Sequence, residues 1–132
     1  MSYEYVQVSK AEHITTVTLN RPEVMNALHP YAGQELQAVF DEFAADPDQW
    51  VAIVTGAGTK AFSAGNDLKF QAGGGKVETP ATGFGGLTSR FDNWKPVIAA
   101  VNGVAYAGGF EWACFADMRI VEEHASFGIT CR

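Results

Sequence analysis

The first part of the chain shows the residue pattern of two β-strands. Residues 3–8 and 13–19 are short runs rich in Val, Ile, Thr and Tyr, and the polar residues 9–12 separate them. β-branched and aromatic residues favour strands, and a short polar link between two such runs favours a hairpin. The sequence therefore predicts an antiparallel hairpin, which ends at the Arg-Pro-Glu segment 21–23.

A helical pattern follows the hairpin. Pro30 suits the first turn of a helix, where an N–H group would have no intrahelical partner. Four apolar residues then recur at the i, i+3, i+4, i+7 spacing of one helix face, namely Leu36, Val39, Phe40 and Phe43. The segment Asp-Pro-Asp at 46–48 ends this pattern, so we predict an amphipathic helix between Pro30 and that segment.

Short apolar runs predict the rest of the framework. Residues 51–55 and 97–101 are typical of strands buried on both faces of a parallel sheet that helices cover. Residues 108–116 indicate a short buried helix after a glycine turn, 118–121 another strand, and 125–132 an extended segment. The order ββα, β, α, β, α, β predicts an α/β fold.

A long irregular segment interrupts this order. Residues 71–86 contain six glycines and Pro80 and show little periodicity. Long loops inside a compact domain are usually functional. We predict a mobile surface loop within one domain that covers residues 1–132.

Composition and charge narrow the classes of ligand. With 132 residues, 47% of them hydrophobic and 18% charged, the chain is expected to form one globular core. A net charge of -6 argues against a basic surface for nucleic acid or an anionic membrane. No signal or membrane-spanning pattern is present, so a cytoplasmic protein is expected. The spacing of Cys and His residues predicts no metal site.

Several nucleotide and nucleophile motifs are incomplete. A phosphate loop would need glycine at Phe70 and Ser or Thr at Val77. The glycines of 56–58 are followed by Ala61, where a dinucleotide fingerprint has its third glycine. Residues 61–65 miss the GxSxG nucleophile elbow by one position. A nucleotide-binding α/β domain therefore stays a weaker alternative, which predicts saturable binding of ATP or NAD.

Two strand-to-glycine-turn segments remain, at residues 62–69 and 99–111. Each follows a predicted buried strand and leads into a helix. The first N–H groups of a helix have no intrahelical acceptor and favour anions. Two such turns side by side would form an oxyanion hole.

The residues of these segments resemble the crotonase (enoyl-CoA hydratase/isomerase) superfamily over nearly the whole chain. The resemblance is carried by residues 20–22, 26–28, 54–58, 62–69 and 95–103. Residues 83–88, 92–95 and 108–111 are most similar to the carnitinyl-CoA dehydratase (crotonobetainyl-CoA hydratase) branch. The resemblance implies a crotonase-like ββα spiral core.

The resemblance also implies an activity and its residues. Family members act on an acyl-CoA thioester through an enolate, by hydration, dehydration or double-bond isomerisation, and coenzyme A is part of the substrate rather than a separate cofactor. The implied catalytic positions are Glu111 and the backbone N–H groups of Asn66 and Gly108, and the implied substrate-binding positions are Ala27, Leu28, Ala64, Gly65, Asp67, Leu68 and Lys69. Glu111 is the candidate general acid/base, and we expect Phe110 and Trp112 to shield it from water.

Two departures from the family qualify this expectation. Hydratases of the family use a second glutamate twenty positions after the first, where this chain has Cys131. Family members also continue past this point with C-terminal helices that help to build trimers or dimers of trimers. The resemblance therefore implies the N-terminal part of a homo-oligomeric enzyme. The alternative is a catalytically impaired fragment that binds acyl-CoA or oligomerises.

Overall fold

The predicted N-terminal hairpin is present. The computed structural model of the chain describes residues 2–130. Strand β1 (Val6–Ala11) pairs antiparallel with β2 (Ile14–Leu19), with Val6 opposite Leu19. The hairpin starts at Val6 rather than at residue 3, and most of the expected polar link is strand because backbone pairing continues to Ala11.

The hairpin forms one edge of a five-stranded mixed sheet. Its other strands are β3 (Val51–Gly56), β5 (Val97–Val101) and β7 (Met118–Val121), in the order β1-β2-β3-β5-β7. All pairs beyond the hairpin are parallel. The prediction that β3 and β5 are buried on both faces is wrong, since alternate residues of each strand are only half-buried. Ala52 and Val54 are fully buried, whereas Ile53 on the opposite face is half-buried, because the main core packs against one face only.

Helix α1 (Pro30–Ala45) covers that buried face, as its apolar stripe predicted. The helix begins where the His29 side chain accepts a hydrogen bond of 3.1 Å from the Ala32 N–H. At its other end, Lys95 Nζ donates to the carbonyl oxygens of Phe43 at 2.7 Å and Asp46 at 2.6 Å. A cation there satisfies carbonyl groups that have no intrahelical donor and complements the helix dipole.

A second, three-stranded parallel sheet lies beside the first. It consists of β4 (Ala61–Ser63), β6 (Val104–Tyr106) and β8 (Ser126–Gly128), in the order β4-β6-β8. The predicted extended segment 125–132 contains β8, but the sequence did not predict the sheet, because a three-residue strand is too short to show a periodic pattern. Because β4 and β6 are parallel neighbours, the segments that follow them leave the same edge of this sheet.

Those two segments are the predicted glycine turns, and each leads into a helix. Helix α2 (Leu68–Ala72) follows the first turn and α3 (Gly108–Phe115) follows the second. The predicted loop 71–86 includes the end of α2 and a 3₁₀ turn at Phe84–Gly86. The mobility of this loop stays a prediction, but its last residues are packed against α1.

Candidate active site

The first glycine turn is tied to the segment before α1. The Leu28 N–H donates to the Gly65 carbonyl at 2.8 Å, and the Asp67 N–H donates to the Leu28 carbonyl at 2.9 Å. Ser63 Oγ accepts from the Gly65 N–H at 3.2 Å and donates to the Asn26 carbonyl at 2.9 Å. Within residues 2–130, this pattern leaves the Asn66 N–H without an acceptor.

The second glycine turn lies directly against the first. Gly65 has a φ of +91°, and a Cβ atom there would lie 2.9 Å from the Gly108 nitrogen and 3.0 Å from the Tyr106 carbonyl oxygen. One residue further, a Cβ at Gly109 would lie 2.1 Å from the Ser63 carbonyl oxygen. Only glycine permits this approach of α3 to β4 and to the first turn. Gly108 begins α3, so its N–H has no intrahelical acceptor.

The two turns line one cavity of about 170 Å³. The residues around it are Ala64, Asn66, Leu68, Phe84, Ala107, Gly108, Glu111 and Thr130. The structure thus brings Asn66 to Gly108 and Glu111, which lie more than forty residues further along the chain. It also places two of the candidate substrate-binding positions, Ala64 and Leu68, on the same wall.

Glu111 lies in the first turn of α3 and lines this cavity, but it is exposed. The expectation that Phe110 and Trp112 shield it from water is therefore wrong. Consecutive residues on a helix point about 100° apart, and Trp112 is fully buried against Phe62 and Phe40. No part of residues 2–130 covers the Glu111 carboxylate.

The other candidate substrate-binding positions lie around the first turn and outside this cavity. Ala27 and Leu28 are both buried, and Leu28 makes the backbone bridge to Asn66. Asp67 caps α2, and Lys69 is exposed on the same helix. The structure therefore does not bring Ala27 or Lys69 to the cavity that holds Glu111.

Asp67 is the charged group most firmly held near the site. Its Oδ1 accepts from the Phe70 N–H at 3.0 Å, and its Oδ2 accepts from the Arg21 guanidinium at 2.9 Å. Burial by itself would raise the pKa of Asp67, but these hydrogen bonds and the Arg21 charge outweigh it, so the pKa lies below its usual range. Burial and the nearby Arg21 charge also lower the pKa of His29.

We expect Asp67→Asn to lower the free energy of unfolding at pH 7 by about 1.5–3 kcal/mol, the range for a hydrogen bond to a charged group. The folded pKa of Asp67 is depressed, so its contribution is present above the unfolded value of about 3.9 and is lost as pH falls through the folded value. Urea unfolding of both proteins from pH 7 to strongly acidic pH measures this difference.

The matched control is Asp48→Asn, because the side chain of Asp48 is exposed. This variant is expected to follow the wild-type pH profile. A deficit of Asp67→Asn that stays constant into strong acid would contradict an ionic contribution from the pair.

Phe84 is a residue of this cavity that the sequence analysis did not single out as a site residue. A Cβ atom at Gly108 would lie 2.6 Å from Cζ of the Phe84 ring, so the ring packs on the backbone where α3 begins. The signal available in the sequence was its place between Gly83 and Gly85. In the structure both glycines have positive φ values, of +90° and +59°. An aromatic residue between two such glycines indicates a tightly constrained turn.

The sequence also raised the questions of a membrane span, a metal site and a second catalytic residue. Within residues 2–130, no helix is long and apolar enough to cross a bilayer, and no three His, Cys, Asp or Glu side chains form a group suited to a metal ion. Cys131, the position of the expected second glutamate, lies outside the residues that the structure describes.

Comparison with known proteins identifies relatives that are about twice as long. The carnitinyl-CoA dehydratase of Salmonella arizonae is 46% identical over 131 residues, which cover 96% of this chain and 49% of that protein. The (E)-benzylidenesuccinyl-CoA hydratase of Thauera aromatica is 39% identical over 134 residues, which cover 95% of this chain and 50% of that protein. The chain therefore spans about half the length of the curated relatives it matches.

A solved structure and a family model indicate the same family as these relatives. The crystal structure of a carnitinyl-CoA hydratase from Mycobacterium avium superimposes with a TM-score of 0.89 at 36% identity, over 96% of this chain and 49% of that one. A model of the family described as enoyl-CoA hydratase/isomerase matches residues 9–131. The crotonase resemblance and the α/β fold that it implies are thus confirmed, and the chain belongs to the enoyl-CoA hydratase/isomerase family.

Proposed function

We propose that the chain acts on an acyl-CoA thioester through an enolate, as a hydratase or dehydratase. The observation that carries this proposal is the contact between Gly65 and the Gly108 nitrogen, which sets the two glycine turns beside Glu111 at one cavity. Matched relatives named as a carnitinyl-CoA dehydratase and a benzylidenesuccinyl-CoA hydratase support water elimination or addition over isomerisation.

In this proposal, the thioester carbonyl oxygen accepts hydrogen bonds from the N–H groups of Asn66 and Gly108. The oxygen gains negative charge when a proton leaves the α carbon or when water adds to a conjugated double bond. Donors that are already oriented need no rearrangement as that charge develops, and one such donor typically contributes about 10²–10³ in rate. The N-terminus of α3 adds a favourable dipole at the same place.

Glu111 is the proposed general acid/base. In dehydration, its carboxylate removes the α proton and the electron pair forms the enolate. Glu111 then gives this proton to the β hydroxyl group, which leaves as water while the enolate electrons form the α,β double bond. Hydration is the reverse. Cys131 stands where the family resemblance expects a second glutamate, so Glu111 is the only carboxylate that we assign to these proton transfers.

The remaining candidate positions are proposed to hold the coenzyme A part of the substrate. Buried Ala27 and Leu28 shape the wall next to the first turn, and exposed Lys69 meets a phosphate group. Asp67 holds Arg21 and the start of α2 in place beside them. The family resemblance further supports a homo-oligomer, either a trimer or a dimer of trimers.

A spectroscopic assay with a short 2-enoyl-CoA tests the proposal. We expect loss of the conjugated enoyl absorbance with formation of the hydrated thioester. Calorimetric titration with the saturated butyryl-CoA is expected to show saturable binding. Binding without turnover would favour the alternative of a catalytically impaired acyl-CoA-binding chain. Absence of acyl-CoA binding, together with saturable binding of ATP or NAD, would contradict both.

A further inference from the structure

Phe84 stands between two cavities. It lines the cavity that contains Asn66, Gly108 and Glu111, and it also lines a second cavity of about 20 Å³ on the other side of the first turn. Among the described residues, 2–130, Asn66 is the only other one that lines both cavities. The Phe84 ring and the Asn66 turn therefore form the wall that separates the two spaces.

The second cavity has a mixed lining, in which the polar side chains of Asp67 and His29 are already hydrogen-bonded within the protein and those of Glu78 and Thr79 are exposed. The apolar side chains around it are Leu28, Pro30, Phe70, Val77 and Pro80, together with Phe84 itself. These apolar side chains offer contacts to a hydrocarbon chain. At about 20 Å³, however, the space holds no more than about one water-sized probe while Phe84 is in place.

The backbone of Phe84 is held on both sides. The Phe84 N–H donates to Thr88 Oγ1 at 2.8 Å, and the Ser89 N–H donates to the Thr82 carbonyl at 2.9 Å. A Cβ atom at Gly85 would lie 2.7 Å from Trp112 Nε1, so the turn is pressed against the fully buried Trp112 ring. These contacts leave the Phe84 ring little room to move away from Gly108.

Arg90 fastens the same turn to α1. Its side chain is fully buried, and its Nε donates to the Gly86 carbonyl at 2.9 Å. One terminal nitrogen donates to the Asp41 carboxylate at 2.8 Å and to the Gln37 carbonyl at 3.3 Å. A buried guanidinium with this many acceptors is costly to displace. The turn that carries Phe84 is therefore anchored to α1.

We propose that Phe84 is a specificity-determining residue, which restricts the chain to short acyl groups by closing the second cavity. This inference rests on the proposed function, because it assumes that the acyl group enters the cavity beside Glu111. Removing the phenyl ring is expected to join the two spaces and to extend the acyl site behind Asn66 toward Leu28, Phe70 and Pro80. A longer acyl chain can then bury apolar surface in the second cavity, from which the Phe84 ring excludes it in the wild type.

Calorimetric titration of the 132-residue protein with CoA, butyryl-CoA and octanoyl-CoA tests this. In the wild type, octanoyl-CoA is expected to bind no more tightly than butyryl-CoA. In Phe84→Ala, octanoyl-CoA is expected to gain at least about tenfold in affinity over butyryl-CoA, since each buried methylene contributes about fourfold. CoA itself is expected to bind both proteins equally.

Phe84→Leu serves as the second variant if Phe84→Ala unfolds, and it is expected to shift the same ratio in the same direction. Phe91→Ala is the matched control, because this nearby phenylalanine is 98% exposed, and its ratio is expected to equal that of the wild type. An equal change for all three ligands, or an unchanged ratio in both Phe84 variants, would overturn the role of Phe84. Failure of the wild type to bind any acyl-CoA would instead refute the proposed function, and this inference with it.

Discussion

Replacing Glu111 with glutamine is expected to lower the rate of enoyl-CoA hydration by about 10²–10⁴, the usual contribution of a positioned general acid/base. Glutamine keeps the size and the hydrogen-bonding oxygen of the side chain, but it neither takes nor gives a proton at neutral pH. The measurement is kcat with a short 2-enoyl-CoA, together with calorimetric binding of butyryl-CoA. Binding is expected to persist, because the variant removes proton transfer and leaves the two glycine turns in place.

The stability of this variant separates chemistry from folding. Glu111 is exposed, so its replacement is expected to change the free energy of unfolding by no more than about 0.5 kcal/mol. Glu123→Gln, which alters another exposed glutamate, is the control and is expected to keep wild-type turnover. A Glu111→Gln protein that turns over as fast as the wild type would remove Glu111 from the mechanism.

Gly65→Ala is the second change with a large expected effect. Its new Cβ would lie 2.9 Å from the Gly108 nitrogen, so one of the two turns must move. Displacement of about 1 Å at a positioned catalytic group can cost about 10²-fold in rate. We expect kcat for the 2-enoyl-CoA to fall by about that factor. We also expect destabilisation, because φ at Gly65 is +91°.

Gly74→Ala is a matched control for the backbone strain. Gly74 also has a φ of +91°, but a Cβ atom there would meet nothing within 4 Å. Both variants therefore carry the cost of a left-handed alanine, about 1–2 kcal/mol, and only Gly65→Ala adds the contact with Gly108. If urea unfolding and kcat show equal losses in the two variants, the contact between the turns does not control the site.

The elements that were predicted correctly are those with a local physical cause. Helix α1 shows its apolar stripe, its proline and its terminating Asp-Pro within one continuous stretch. The hairpin follows from two β-branched runs, although its turn is shorter than the predicted polar link. Asn66, Gly108 and Glu111 could be proposed because each lies in a short segment that resembles a known family. All of these signals are local in the sequence.

The features that were missed depend on contacts between distant residues. Strands β4, β6 and β8 are three residues long, and only their pairing with one another makes a sheet. The exposure of Glu111 follows from the direction in which α3 packs, which places Trp112 rather than Glu111 in the core. The wall at Phe84 exists only because Arg90 and Trp112 hold that turn against α1 and α3.

The amino-acid sequence by itself determined that this chain forms an α/β domain of the crotonase type, and it determined which glycines and which glutamate are candidates for the chemistry. Periodicity and turn chemistry are short-range, so they can be read without coordinates. Only the tertiary structure decided that the two glycine turns touch, that Glu111 faces solvent and that Phe84 separates two cavities. Those facts depend on close packing between segments far apart in the chain, where a single added carbon atom at Gly65 or Gly109 would not fit.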